Sequence, residues 1–147
     1  MNIEKIKVKT KDELEICSKL RKEVFGDEEF APEQLYIIDE LDNNIDTHNY
    51  LLKIDDNYVS TIRFIKIDDE TIKIQRMVVP KKYRRNGYAS IILKFLEEDA
   101  KEMGYKKIIM DSAFSAVPFY EKNDYLKKSD VFYEDGRPHV KMEKDII

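Results

Sequence analysis

Between Gln75 and Ser90 the chain reads Gln75-Arg76-Met77-Val78-Val79-Pro80-Lys81-Lys82-Tyr83-Arg84-Arg85-Asn86-Gly87-Tyr88-Ala89-Ser90. Lys81, Lys82, Arg84 and Arg85 stand together with no acid among them, and Gly87 leads into a helical pattern. Unpaired N–H groups at a helix start attract anions, and the helix macrodipole adds partial positive charge. Gly87 lets backbone approach a ligand with no Cβ in the way, and small Ala89 leaves similar room. Basic side chains beside such amides favour a phosphate-bearing ligand. A nucleotide-hydrolysing loop would need GxxxxGK(S/T), and a dinucleotide fold would need GxGxxG after the first strand. The chain has neither. The plainer alternative is a solvated basic turn ahead of an ordinary helix.

Stepping outward from this loop, periodicity supplies the elements that must hold it. Ile3, Ile6 and Val8 alternate with Lys and Glu, as in a first strand. Thr10 and Glu13 form a capping-box pattern, and Leu14, Cys17, Leu20 and Val24 follow at helical spacing to about Phe25. Ala31-Pro32-Glu33 opens a short second helix through Ile38, since Pro suits a first turn. His48 to Ile54, Tyr58 to Ile67 and Thr71 to Val79 read as three strands joined by polar turns, an antiparallel meander. Ala89, Ile92, Leu93, Leu96, Ala100 and Met103 make the apolar stripe of the helix after the loop. Lys107 to Met110 is a buried strand, and the helical crossover makes it parallel to the strand before the loop. Pro118 to Asn123 is a short helix. Tyr125 to Tyr133 and His139 to Met142 are strands joined around Asp135-Gly136, a hairpin signal. The expected fold is α+β, or mixed α/β, in one domain over residues 1–147.

Composition narrows the function classes. The chain has 26 Lys+Arg against 30 Asp+Glu, which argues against a general nucleic-acid binder. Its single cysteine, Cys17, excludes an intramolecular disulfide framework and a Cys-rich zinc site, and it sits on a helical apolar stripe as a small core residue. No apolar run approaches a membrane span, and the N-terminus lacks a signal-peptide pattern. A soluble domain in the cytoplasm, without metal, is the expectation. The charge is asymmetric, however: nine acids and no Lys or Arg lie between Glu23 and Asp46. That run is either a solvated acidic face or a surface that attracts a cationic molecule.

Arg84-Arg85-Asn86-Gly87-Tyr88-Ala89 resembles the Arg/Gln-x-x-Gly-x-Gly/Ala signature of the GCN5-related N-acetyltransferases (GNAT). Met77-Val78-Val79-Pro80 precedes it as in that family, and Pro118-Phe119-Tyr120-Glu121-Lys122-Asn123-Asp124-Tyr125 is similar to its FYxKxGF segment. Arg21-Lys22-Glu23-Val24-Phe25, Glu28, Asp39, Asp42 and His48, with the ending Asp135-Gly136-Arg137-Pro138-His139 and Met142, resemble the ElaA/YjcF-like branch. The resemblance implies a mostly antiparallel twisted sheet of about seven strands with one parallel pair, flanked by about four helices.

It also implies an acetyl-CoA-dependent transfer to a primary amine, both substrates being held in one complex. The backbone from Arg85 through Asn86, Gly87, Tyr88 and Ala89 to Ser90 would hold the pyrophosphate, with charge from Arg84, Arg85 and Lys82. Met77, Val78 and Val79 would pair with the pantetheine arm, and the Val79 N–H would polarise the thioester carbonyl. Phe119 would pack on the cofactor. Tyr120 matches the tyrosine that protonates the departing thiolate, the other reading being a packing aromatic. Gln75 stands where many relatives have a glutamate base and cannot carry a proton as a carboxylate does. Either a water chain removes the proton or Glu28, Glu29, His48 or His139 serves as base, the plainer reading of each His being a structural hydrogen bond. Glu28, Glu29, Gln75 and His139 are counted toward the acceptor. The acidic run would favour a polyamine, an amino sugar or a lysine or N-terminal amine. The competing readings are a non-catalytic acyl-CoA-binding module and an acidic protein-interaction domain. Pairing of two copies through the C-terminal strands is left open.

Overall fold

The computed structural model describes residues 1–26 and 35–147. In chain order the elements are β1 (Ile3–Lys7), α1 (Lys11–Phe25), β2 (His48–Ile54), β3 (Asn57–Lys66), β4 (Thr71–Val78), α2 (Tyr88–Glu102), β5 (Lys107–Ala113), α3 (Val117–Lys122), β6 (Leu126–Lys127), β7 (Phe132–Glu134) and β8 (Arg137–Asp145). Short 3-10 turns cover Leu41–Asn43, Lys81–Tyr83 and Phe114–Ala116.

α1 begins where its capping box places it. The Thr10 Oγ1 accepts from the Glu13 N–H at 3.1 Å, and the Glu13 carboxylate accepts from the Thr10 N–H at 3.1 Å. α2 buries Ile92, Leu93, Leu96 and Ala100, the stripe read from spacing. Two hairpin turns have both central residues at positive φ, Asp55 (46°) with Asp56 (70°) and Asp135 (52°) with Gly136 (74°), the twist that matches flanking strands.

One eight-stranded sheet runs in the order β1-β2-β3-β4-β5-β8-β6, with β7 added against β8. β4 and β5 are its parallel pair, and the other pairings are antiparallel. Among the described residues three α-helices flank it. The larger core lies between the sheet and α2 with α3, built from Tyr50, Phe64, Ile72, Leu93, Ile108, Met110, Tyr120 and Met142 among others. A smaller one lies under α1, around Cys17, Leu20, Leu51 and Val78. Cys17 is a packed core residue, its thiol pushed up to about 11 by burial.

The expected elements are present with four differences, the first being that the last strand, expected over His139 to Met142, runs Arg137–Asp145. The stretch read as one strand from Tyr125 to Tyr133 is two short strands, β6 and β7, pairing at different points of β8. β5 continues to Ala113, three residues past the expected end. The second helix expected to open at Ala31 falls mostly outside the described residues, and residues 35–38 form a turn. No helix among the described residues is long and apolar enough to cross a membrane.

Candidate active site

The site exists because two parallel strands stop pairing. β4 and β5 are in register at Thr71–Lys107, Ile72–Ile108 and Lys73–Ile109, and no further. Both strands nevertheless run on, β4 to Val78 and β5 to Ala113. A wedge therefore opens beyond Lys73, with one edge of β4 turned into it. A bulge sharpens the divergence. Thr61 opposes Val78 and Arg63 opposes Gln75, so three steps of β4 face two of β3. The extra residue is absorbed at Arg76, which takes φ +57°. The wedge continues into a cleft of about 940 Å³ bounded by β4, the loop after it, the start of α2, β5, α3 and the β7–β8 turn.

The loop reaches the cleft in an unusual backbone shape. Arg85 (φ +67°) and Gly87 (φ +78°) both adopt the left-handed region. Gly87 is the N-cap of α2, no side chain caps that end, and a Cβ built on Gly87 would meet nothing within 4 Å. The first-turn amides of α2 thus have no side-chain acceptor. Arg84 Nε donates to the Val79 carbonyl at 2.9 Å, fastening the loop back onto the end of β4.

Met77, Val78, Val79, Arg84, Arg85, Gly87, Tyr88, Ala89, Ser90, Phe119 and Tyr120 all line the cleft, as do Gln75 and His139. Asn86 does not. Its amide donates to the carbonyls of Tyr83 (3.0 Å) and Arg84 (3.2 Å), so its side chain shapes the turn. Lys82 also stays outside, 3.8 Å from Glu23 on α1. His48 lies on β2, its ring 5.2 Å from Phe64, and is not part of the cleft. Burial and the nearby Lys7 charge push its imidazole down. Glu28 and Glu29 lie outside the described residues.

Tyr120 is buried, its ring 5.0 Å from Phe119 and 5.6 Å from Tyr125. Burial pushes its phenol well above the usual range. It therefore stays protonated at neutral pH, a hydrogen-bond donor at the wall of the cleft.

Two features of the site were not read from the sequence. The first is a buried charge cluster that meets the cleft at Gln75. Arg21 donates to Asp42 through Nη1 (3.0 Å) and Nη2 (3.2 Å), and to Asn49 at 2.6 Å. Arg63 donates to Asp39 (2.8 and 3.1 Å), to Asp42 (3.0 Å) and to the Gln75 Oε1 through Nε (3.2 Å) and Nη2 (2.7 Å). The side chains of Arg21, Arg63 and Asp42 have no exposed surface. Burial alone would raise the Asp42 carboxyl, but hydrogen bonding and charge from Arg21, then Asp39 backbone and Arg63, hold it well below its ordinary value. Two of the nine acids in the acidic run, the buried Asp42 and the partly buried Asp39, are thus counterions of Arg21 and Arg63 rather than part of a solvated face. The second is Asp111 on β5, which lies in the cleft and bridges Lys73 (2.8 Å) and Lys141 (3.2 Å) across the base of the wedge. Burial would raise its carboxyl, but these two lysines hold it down. The signals for both features were isolated polar and charged residues on α1, on the segment before β2 and on the strands, and most of their partners lie far away in sequence, from 12 residues (Arg63–Gln75) to 38 (Lys73–Asp111). Among the described residues no group of His, Cys, Asp and Glu is arranged to hold a metal ion.

Residues 8–146 match the family described as the acetyltransferase (GNAT) domain. The chain belongs to the GNAT family, and is an acyl-CoA-dependent N-acyltransferase by that membership. Within the family it falls in the ElaA/YjcF-like branch. It is 33% identical to the uncharacterized N-acetyltransferase YjcF of Bacillus subtilis, over 93% of this chain and 96% of that one. It superposes on Escherichia coli ElaA with a TM-score of 0.83 at 25% identity, covering 97% and 99% of the two chains. A GNAT family acetyltransferase from Elizabethkingia anophelis, solved with acetyl-CoA bound, shares the fold at a TM-score of 0.76 and 17% identity, over 98% of each chain.

Proposed function

We propose that this protein transfers the acetyl group of acetyl-CoA to a primary amine by direct attack, with both substrates in one complex. The observation that carries the reading is the coincidence of the β4–β5 wedge with an uncapped helix start whose loop leaves room for a phosphate. The residues fit the ligand segment by segment. Amides from Arg85 to Ser90 face the pyrophosphate, with charge from Arg84 and Arg85. The end of β4 and the residue after it, Met77 to Val79, offer backbone groups to the pantetheine amides, as an added strand would use them. The Val79 N–H polarises the thioester carbonyl, and electrostatic aid aimed at a developing oxyanion is a large catalytic effect. Phe119 packs beside the arm, and the Tyr120 hydroxyl donates to the leaving sulfur.

The acceptor is a cationic small molecule in this reading. Glu134 and Asp135 line the mouth of the cleft and support it. Asp39 and Asp42 do not contribute, being committed to Arg21 and Arg63. The test has two stages. Acetyl-CoA at about a hundred times its Kd should stabilise the fold by about 2.7 kcal/mol in thermal unfolding. No shift at millimolar acetyl-CoA rejects the reading. Thiol release is then followed over spermidine, glucosamine and a lysine peptide, where Tyr120→Phe should lower kcat about tenfold or more. An unchanged rate in Tyr120→Phe removes that residue from the mechanism.

A further inference from the structure

An amine that attacks a thioester must shed a proton, and the cleft offers few groups to receive it. Gln75 is excluded by its bonding as well as its chemistry. Its Oε1 is the acceptor of two Arg63 donors, which leaves only the amide N–H groups, and these donate. Asp111 is held ionised by Lys73 and Lys141, and a carboxylate so stabilised is a weak base. Glu134 and Asp135 belong to the exposed end of the β7–β8 hairpin.

His139 differs from all of these. It lies on β8 opposite Ala113 of β5. Asp111 and Lys141 are the neighbouring register pair on the same face, as their 3.2 Å contact shows. That face is the one that carries Lys73, joined to Asp111 across the wedge. The ring is half-buried, lines the cleft and rests 6.0 Å from Phe132. Its Nδ1 is 2.8 Å from the Arg137 carbonyl oxygen. A carbonyl oxygen only accepts, so Nδ1 carries the hydrogen, and in the neutral ring Nε2 is a bare lone pair. The strand itself therefore sets the tautomer that a base needs.

We propose that His139 is the general base of the transfer, its Nε2 taking the proton from the acceptor nitrogen. The proposal rests on the acetyl-transfer reading above. The amine lone pair forms the C–N bond at the thioester carbonyl, and the ammonium nitrogen so made loses one proton to Nε2. The C–S bond then breaks, its electron pair leaving on sulfur under the Tyr120 hydroxyl. The imidazolium returns its proton to solvent, and the thiolate takes one from solvent.

Bromoacetyl-CoA tests the placement without knowledge of the acceptor, because its alkylating carbon sits where the acetyl methyl would. An adduct on His139, located by peptide mass spectrometry, blocked by excess CoA and missing in His139→Gln, is the expected result. A protein that CoA stabilises but that is alkylated elsewhere, or not at all, overturns the proposal and leaves acetyl transfer standing. A protein that CoA does not stabilise overturns acetyl transfer itself. For the role, whichever of spermidine, glucosamine or the lysine peptide the native protein acetylates is used. His139→Gln should lower kcat about a hundredfold, with the KM for acetyl-CoA little changed and part of the rate restored by added imidazole. His139→Asn, whose amide can keep the bond to the Arg137 carbonyl, guards against a folding defect and should lose as much. Native kcat in either variant, or a loss that imidazole does not relieve in a normally folded protein, overturns the assignment.

Discussion

Gln75 shows how one side chain can be read correctly in type and incompletely in role. An amide cannot carry a proton as a carboxylate does, which the sequence makes plain. What it does instead depends on Arg63, twelve residues earlier and buried, whose guanidinium fixes the amide with its oxygen inward. No local pattern announces that pairing, because it is made across two strands. The geometry predicts the outcome of restoring the acid. In Gln75→Glu the new carboxylate would take the two Arg63 bonds, be held ionised by that charge, and so be a poor base. Thermal unfolding should place the variant within about 1 kcal/mol of the native protein, and kcat on any amine that turns over should not rise. A tenfold or greater increase in kcat, the equivalent of about 1.4 kcal/mol, would return the base role to position 75.

At the scale of elements, what was legible is what is encoded locally. The Thr10–Glu13 box, the stripe Ile92, Leu93, Leu96 and Ala100, and the Asp135-Gly136 turn each lie within a few turns or residues, and each forms where it was read. The bulge at Arg76 was not legible, since a non-glycine residue at φ +57° is imposed by pairing with β3. The split of Tyr125 to Tyr133 into β6 and β7 was hidden for the same reason, both strands being defined by their separate places on β8. The loop into α2 combines both kinds of information. Its glycine was visible, whereas the second left-handed residue, Arg85, was not. Gly87→Ala should cost about 1–2 kcal/mol from backbone strain alone, since its Cβ would meet no atom of the protein. The Cβ would nevertheless stand among the amides assigned to the pyrophosphate. Gly104→Ala, also at positive φ (+99°) but beyond the far end of α2, is the matched control. Both should lower the thermal midpoint, while only Gly87→Ala should also reduce the added stabilisation from acetyl-CoA. Equal stabilisation in the two variants would move the phosphate contacts away from this loop.

Over the whole molecule, the acids that seemed to belong to the surface join its parts. Arg21 comes from α1, Asn49 from β2, Arg63 from β3 and Gln75 from β4, and Asp39 and Asp42 from the segment between α1 and β2 bind them together. The helix that covers one face of the sheet is thereby tied to the strand that forms the wedge. A buried pair of this kind need not stabilise relative to an apolar core, but removing one partner strands a charge and typically costs about 3–5 kcal/mol. The same cluster should set the acid limit of the fold. The Asp42 carboxyl is held below its ordinary value in the folded protein and titrates near 3.9 when unfolded. Between those values the unfolded chain binds more protons, so stability falls as pH falls. The contribution is complete above the unfolded value and is lost progressively as pH drops through the folded one, with Asp111, also lowered, acting in the same direction. Urea midpoints measured from pH 7 to pH 2 should therefore be level down to about pH 5 and fall steeply below about pH 4. Asp42→Asn should start lower at pH 7 and decline less steeply in acid, because the neutral amide has no proton to gain. A variant whose curve runs parallel to the native one through the acid range would place the titrating group that limits the fold outside this cluster.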